Sequence, residues 1–190
     1  QGKPVDGTGF EYEQGGRLDE LLGQRISPLF SQPVTGAWVC GLVLSAATNG
    51  EYERGLGIFS PKNAGPPEHF HPTYVEHFEI VRGEFIFRIS GQERAAGAGD
   101  QLAVSKGTPH TFHCVGTQPG VVIVETRPAA RTGEVIATLF GLAHDGALTP
   151  AGQPKLWQAM VIGAEYSDDT VFTSPPPSLT IPIAKALAPI

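Results

Sequence analysis

The residues of this sequence that are best suited to chemistry lie between positions 65 and 114, where five of the six histidines occur. His69 and His71 are separated by a single residue. In an extended strand, side chains two positions apart share a face and lie roughly 6.6 Å apart, so both imidazoles can converge on one ion. A break in the strand at residues 72–73 would let Glu76 return on the next strand. Two imidazoles and a carboxylate are typical ligands of a divalent transition metal.

Strand alternation separates these residues from their neighbours. Along the strand that carries Glu76, the pattern places Phe78 on the same face and turns His77 to the opposite one. A lone histidine is more often a satisfied core residue than a metal ligand. The sequence therefore predicts structural roles, without metal binding, for His77, His113 and His144.

The spacing of these residues resembles the two motifs of the cupin superfamily, which read G-x5-H-x-H-x3,4-E-x6-G and G-x5-P-x-G-x2-H-x3-N. The first motif is matched, from its first histidine onward, by His69, His71, Glu76 and Gly83. The second motif is matched by Gly99, Gly107 and His110. Three motif positions differ, with Asn63 for the first glycine, Ser105 for the proline and Cys114 for the final asparagine. None of these three is a ligand position.

In cupins, three histidines and one glutamate bind a divalent metal inside a small antiparallel barrel. The resemblance therefore implies an all-β fold, the cupin double-stranded β-helix or jelly-roll barrel. It also implies that one metal ion is bound by His69, His71, Glu76 and His110. Imidazole and carboxylate ligands suit nickel, iron, manganese, cobalt, copper and zinc, so the sequence leaves the identity of the metal open.

Strand alternation also predicts an apolar pocket around the metal. Phe78 and Phe112 share faces with Glu76 and His110, so we expect both rings to line the pocket and to contact a substrate. Cys114 has the same parity as Phe112 and is expected on the same wall. Its side chain is either a buried free thiol or an additional soft ligand.

The surrounding elements are predicted from periodicity and from turn residues. Leucines on one stripe indicate a short helix over residues 17–30, ended by Pro28. The pair Asn49-Gly50 predicts a two-residue hairpin turn between two barrel strands. After the barrel, the apolar period becomes helical, with Thr132 as a plausible cap.

These elements predict three regions along the chain. Residues 1–35 form an N-terminal arm and a covering helix, and residues 36–131 form the barrel. Residues 132–190 form a helical C-terminal appendage, with further helices near residues 155–165 and over residues 178–188.

Composition limits the possible partners. The 190 residues include 13 basic and 19 acidic ones, for a net charge of -6, which argues against a nucleic-acid partner. No apolar run approaches the roughly 20 residues of a membrane span, so we expect no membrane partner. Cys40 and Cys114 have no paired spacing, so we expect no disulfide and a reducing compartment, the cytoplasm. The apolar edge strands and the cupin resemblance favour a homodimer.

A finer and less specific resemblance is to single-barrel, quercetinase-like cupins, because a barrel with three histidines and one glutamate is followed by a helical appendage. It implies a metal-dependent dioxygenase, like quercetin 2,3-dioxygenase, that cleaves a flavonol or related aromatic substrate with O2. The family's mechanism implies that Glu76 is also the catalytic base, which takes the proton of the substrate hydroxyl. Two alternatives stay open. They are another metal-dependent cupin enzyme, such as an isomerase, decarboxylase or lyase, and a non-catalytic small-molecule-binding cupin.

Overall fold

The computed structural model describes residues 9–61, 63–150 and 152–178, together with residue 182. Two antiparallel β-sheets form the barrel, and helices flank it in the N-terminal and C-terminal regions. The predicted all-β cupin fold is confirmed. Most of the segment 178–188, for which a helix is predicted, lies outside the described residues.

Three α-helices and eleven strands have both ends within the described residues. In chain order they are α1 (Arg17–Gly23), β1 (Phe30–Gln32), β2 (Ala37–Val43), β3 (Glu53–Phe59), β4 (His69–Phe70), β5 (Val75–Arg82), β6 (Glu84–Ile89), β7 (Gln92–Gly97), β8 (Gln101–Val104), β9 (His110–Cys114), β10 (Gly120–Arg127), α2 (Thr132–His144), α3 (Leu156–Glu165) and β11 (Val171–Phe172). The first sheet has the strand order β1-β2-β3-β10-β5-β8, and the second has the order β11-β4-β9-β6-β7. Strand β10 therefore lies between β3 and β5, which matters for the site described below.

The core between the two sheets is built mainly from aromatic side chains. Phe78 of β5, Phe87 of β6 and Phe112 of β9 pack against one another with ring centroids 5.0 to 5.7 Å apart. Aromatic pairs at these separations stabilise a core beyond the effect of their buried area. Glu76 and His110 lie two residues before Phe78 and Phe112, so this packing fixes the strands that carry them.

Helix α1 covers the outer face of the first sheet. Its three buried leucines pack against Leu56 of β3. The helix ends at Gly23 and is therefore shorter than the predicted range 17–30. The reason is that the chain joins the sheet early, because the backbone N–H of Ile26 donates to the carbonyl oxygen of Gly41 at 2.9 Å.

The connection between β2 and β3 is longer than the predicted two-residue turn. Residues Ser45–Thr48 form a 3-10 helix, and Asn49 and Gly50 follow it with φ values of 52° and 81°. Asparagine and glycine adopt such positive values most readily, so the pair does mark a turn. The strands separate before it because the pairing of β2 with β3 becomes irregular between Gly41 and Val43.

The C-terminal region packs back on the barrel. Helix α2 begins where predicted, but the Thr132 side chain does not cap it, since its hydroxyl lies 2.9 Å from the Tyr74 hydroxyl. Helix α3 corresponds to the helix predicted near residues 155–165 and packs on α2 through Ile162 and Val135. Strand β11 is an addition to the prediction. It pairs with β4, so this region is not purely helical and reaches the second sheet beside the histidine strand.

Two further features bear on the expected environment of the chain. Cys40 and Cys114 are both free and buried, Cys40 beneath α1 and Cys114 in the core between the sheets. Among the described residues, none of the helices combines the length and the apolar character needed to cross a membrane.

We expect the substitution Leu56→Ala to lower the free energy of unfolding by about 2–5 kcal/mol, because it leaves a cavity beneath α1. Leu56 is fully buried, whereas Leu156 at the start of α3 is 56% exposed. The matched control Leu156→Ala should therefore cost less than about 0.5 kcal/mol. Urea unfolding followed by fluorescence measures both changes. Equal costs at the two positions would contradict the packing of α1 on this face.

Candidate metal centre

The four predicted metal ligands come from both sheets. In the second sheet, His69 of β4 pairs with His110 of β9, and His71 directly follows β4. Glu76 comes from β5 of the first sheet. All four side chains are buried, and His110 is completely inaccessible. The structure therefore brings the four residues together in the interior of the barrel.

Their ligand atoms are close enough to share one ion. One ligand atom from each residue lies within 4.8 Å of the other three. Oε2 of Glu76 is 2.9 Å from Nε2 of His110 and 3.3 Å from Nε2 of His71. Atoms that each lie about 2.0–2.2 Å from a divalent ion are about 3–4.4 Å from one another. The observed spacing is compatible with such an arrangement.

The outer ring nitrogens determine how the three imidazoles are protonated. Nδ1 of His69 and Nδ1 of His110 each contact the carbonyl oxygen two residues earlier in the chain, at 2.7 and 3.0 Å. Nδ1 of His71 lies 3.1 Å from the carbonyl oxygen of Asp169. A carbonyl oxygen only accepts, so each Nδ1 carries the hydrogen and donates it. In their neutral form the imidazoles then present Nε2 lone pairs to the centre, as metal-binding histidines do. Without a metal, the 2.9 Å contact between Nε2 of His110 and Oε2 of Glu76 is a hydrogen bond only when that nitrogen carries a proton.

As a result, the centre consists of hydrogen-bond acceptors. Nε2 of His71 is buried and makes no hydrogen bond, although Oε2 of Glu76 is close to it. Buried acceptors that face one another repel, and leaving them unpaired costs free energy. A cation among the four atoms removes this cost. The residues therefore fit a divalent transition-metal ion held by three Nε2 atoms and one carboxylate oxygen.

Without a metal, the pKa values show that the Glu76 carboxylate draws a proton to the neighbouring imidazole of His71. Burial raises the pKa of Glu76, but contacts with the imidazoles of His110 and His71 outweigh it and hold the pKa well below its ordinary value. Burial, together with the two neighbouring histidines, lowers the pKa of His69 to about 3. Burial also lowers the pKa of His71, but Glu76 raises it more, so the net shift is upward. At neutral pH the ionised Glu76 therefore favours one positive charge beside it.

Tyr74 and Asp169 hold His71 in position. The Tyr74 ring stacks on the imidazole with centroids 4.3 Å apart, and its hydroxyl donates to Oδ1 of Asp169 at 3.3 Å. Asp169 is buried and also accepts hydrogen bonds from the Thr170 hydroxyl and the backbone N–H of Arg131. Asp169 could not be identified from the sequence, because it lies 98 positions after His71 and no local pattern indicates the contact.

A cavity of about 410 Å³ opens beside the centre, with His69, His71 and Glu76 on its wall. The inner face of β2 and β3 forms one wall, and α2 forms another through Val135, Ile136 and Leu139. Most of the lining is apolar. Sites for small molecules commonly have this size and character. The metal centre therefore faces a space that can hold a small organic ligand.

Of the three predicted substrate-binding residues, Phe112 is the one on the wall of this cavity. Phe78 lies deeper, packed on Phe87 with its ring centroid 6.3 Å from that of His110, and Cys114 lies in the same core. The expectation that Phe78 and Cys114 line the pocket is therefore corrected. Alternation gives the correct face of each strand but not the depth along the barrel. Substrate contact stays a prediction, now supported by the cavity for Phe112.

The remaining histidines lie away from the centre. His77 is exposed on the outer face of β5, so its outward orientation is confirmed and its expected place in the core is wrong. His144 is near the end of α2, and its Nε2 atom lies 2.9 Å from the hydroxyl oxygen of Ser31. His113 is partly buried and pairs with Ile86 in the second sheet.

Comparisons with known proteins agree with this fold. Residues 56–125, which contain all four ligand candidates, match the Cupin_2 family model, described as a cupin domain. Among solved structures, the chain is similar to a predicted oxalate decarboxylase from Thermotoga maritima, with 17% identity, a TM-score of 0.50 and coverage of 56% of this chain and 95% of that chain. No curated protein matches the sequence.

Two further solved structures are similar at lower TM-scores. An RmlC-like cupin from Shewanella frigidimarina has 19% identity and a TM-score of 0.48, with 65% of this chain and 94% of that chain covered. KdgF from Halomonas sp. has 20% identity and a TM-score of 0.43, with 49% of this chain and 81% of that chain covered. At these identities, the fold and the family model together indicate a protein with the cupin fold. They do not indicate a particular activity.

We expect purified protein to carry close to one divalent metal ion per chain, and His71→Ala to lose most of it, because one of four ligands is removed. The matched control is His77→Ala, which removes an exposed imidazole one position from Glu76 and six from His71 and should leave metal content unchanged. Elemental analysis of both variants measures the result. Full metal content in His71→Ala, or loss in His77→Ala, would show that the ligands are wrongly assigned.

We expect Asp169→Ala to weaken metal binding about 10–100-fold, the usual effect of losing a residue that orients a ligand. The reason is that Tyr74 and the backbone at position 169 would no longer be held against His71. Asp168→Ala is the control, since Asp168 is exposed. Competition with a chelator of known affinity measures both. Equal metal affinities for the two variants would contradict a positioning role for Asp169.

Proposed function

We propose that this chain is a metal-dependent cupin dioxygenase that cleaves a flavonol or a related oxygenated aromatic compound with O2. The observation that supports it most is that a centre of four buried acceptors lies at the wall of an apolar cavity of about 410 Å³. Three imidazoles and one carboxylate leave positions of a six-coordinate ion free for other oxygen ligands. When bound, a first-row divalent metal lowers the pKa of a substrate hydroxyl and assists its reaction with O2.

The charges around the cavity argue against phosphorylated or strongly acidic substrates. Arg54 is the one lysine or arginine among the described residues that line it, and its guanidinium pairs with Glu125 on the outer face of the sheet. A substrate phosphate would need unpaired cationic donors at the cavity wall. A flat, uncharged ring system with a few oxygen atoms fits a mostly apolar wall better.

Aromatic side chains support the choice of an aromatic substrate. Phe112 and Phe172 both line the cavity, and the Phe172 ring lies 6.2 Å from that of His69. Rings of this kind pack favourably against another aromatic system in offset or edge-to-face geometry. The substrate would thus be held by apolar contacts while its oxygen atom meets the metal ligands.

Glu76 is the proton acceptor in this proposal. Its carboxylate is ionised at neutral pH and lies among the residues that line the cavity. A carboxylate within hydrogen-bond reach of a substrate hydroxyl can act as a general base. Glu76 would therefore serve both as a metal ligand and as the group that removes the hydroxyl proton.

At matched metal occupancy, Glu76→Gln should lower turnover at least about a hundredfold, because it removes charge and basicity but keeps the shape of the side chain. Oxygen consumption with quercetin or 3-hydroxyflavone measures the effect. The control is Glu79→Gln on the opposite face of the same strand, which should keep wild-type turnover.

The two alternatives give different outcomes in the same assay. Wild-type protein that binds flavonols but consumes no oxygen with any first-row metal would rule out the dioxygenase and favour a non-catalytic binding protein. Conversion of a substrate without oxygen consumption would instead favour another metal-dependent cupin enzyme.

A further inference from the structure

Three side chains with oxygen atoms form one row across the first sheet. Thr126 of β10 pairs with Glu53 of β3 on one side and with Glu76 of β5 on the other. Paired residues of antiparallel strands have Cα atoms about 4.5–5.5 Å apart, so Glu53 lies about 10 Å from Glu76 with Thr126 between them. The row therefore continues from the metal centre along the sheet.

All three side chains of this row point to the barrel interior. The next row in the same direction along the strands consists of Gly55, Val124 and Phe78, of which Phe78 lies in the core and Val124 packs against it. Residues two positions apart share a face, so both rows are on the inner side. The residues between them, Arg54 and Glu125, form an ion pair on the outer side. Because Gly55 has no side chain, space beside the row stays open.

The hydroxyl of Thr126 is near enough to the Glu53 carboxyl to affect its pKa, but it has no well-formed hydrogen bond within the described part of the chain. Thr126 is 2% exposed, and its Oγ1 makes no hydrogen bond of good geometry with the described residues. A buried hydroxyl without a partner is unfavourable and uncommon in native structures. Thr126 lines the same cavity that the metal ligands face. A ligand oxygen in that cavity would satisfy the hydroxyl.

Glu53 extends the polar part of the wall. It is partly buried and also lines the cavity. Burial, and next the nearby Asp169 carboxylate, raise its pKa to about 7, although the hydroxyls of Thr126 and Thr132 act in the opposite direction. A carboxyl group that holds a proton part of the time near neutral pH can donate as well as accept a hydrogen bond.

We propose that Thr126 and Glu53 recognise a second hydroxyl group of the aromatic substrate whose first oxygen lies at Glu76. The inference rests on the proposed function, since it assigns the orientation of that substrate. Thr126 is on the strand next to that of Glu76, and Glu53 is on the strand beyond it. The second oxygen therefore lies on the edge of the ring system that faces β10 and β3. A site built to bond a hydroxyl discriminates against the analogue that lacks it.

The test compares two flavonols that share the 3-hydroxyl group, 3,5,7-trihydroxyflavone and 3-hydroxyflavone, in anaerobic titrations of metal-loaded protein. Wild-type protein should bind the trihydroxy compound at least about tenfold more tightly. In Thr126→Val, which keeps the shape but removes the hydroxyl, this preference should fall at least about fivefold. Thr126→Ser should retain it.

Glu53 is tested with a matched pair of its own. Glu53→Ala should also reduce the preference at least about fivefold, whereas Glu53→Gln still donates and accepts and should keep most of it. Metal content and the affinity for 3-hydroxyflavone should stay at wild-type values in all four variants. If Thr126→Val does not fold, the Glu53 pair carries the test.

The inference is overturned if the preference survives in both Thr126→Val and Glu53→Ala, or if wild-type protein shows no preference or binds neither compound. Oxygen consumption is read separately in aerobic samples. Suppose that the variants lose the preference but wild-type protein consumes no oxygen. That result would rule out the dioxygenase and still support the recognition site.

Discussion

The convergence of four buried hydrogen-bond acceptors is the constraint on which this structure depends. Three imidazoles come from the second sheet and its adjoining loop, and the Glu76 carboxylate comes from the first. The Nδ1 donors of the imidazoles are used by backbone carbonyl groups, so only a proton on an Nε2 atom or a bound cation can neutralise the carboxylate. A metal ion at this point would join the two sheets, and its binding free energy would add to the stability of the barrel.

The C-terminal region completes the site that the barrel begins. Helix α2 forms a wall of the cavity, and β11 adds a strand beside His69. Asp169 ties both elements to the barrel, because it bonds the backbone of Arg131 before α2 and the Tyr74 hydroxyl beneath His71. The same segment therefore encloses the space for a ligand and sets the orientation of a metal ligand. A change in this region should affect metal binding and ligand binding together.

The local parts of the site could be predicted from the sequence, and the parts that depend on long-range packing could not. The spacing around Glu76 and the helical period from Thr132 are local patterns, and the structure contains both. Alternation put Phe78 on the correct face but gave no depth, so its ring lies in the core below the cavity. The row that joins Glu53 to Thr126 depends on the register of strands far apart in sequence. The one signal for this row in the sequence is Glu53, a charged residue at an inward-facing position of a strand.

We expect the three Nε2 atoms and the Glu76 carboxylate to bind one metal ion together. The most direct measurement is X-ray absorption spectroscopy of protein loaded with one equivalent of cobalt(II) or nickel(II). We predict scattering from three imidazoles with nitrogen atoms at about 2.0–2.2 Å, together with oxygen ligands. A spectrum with oxygen ligands alone, or with a single imidazole, would contradict it.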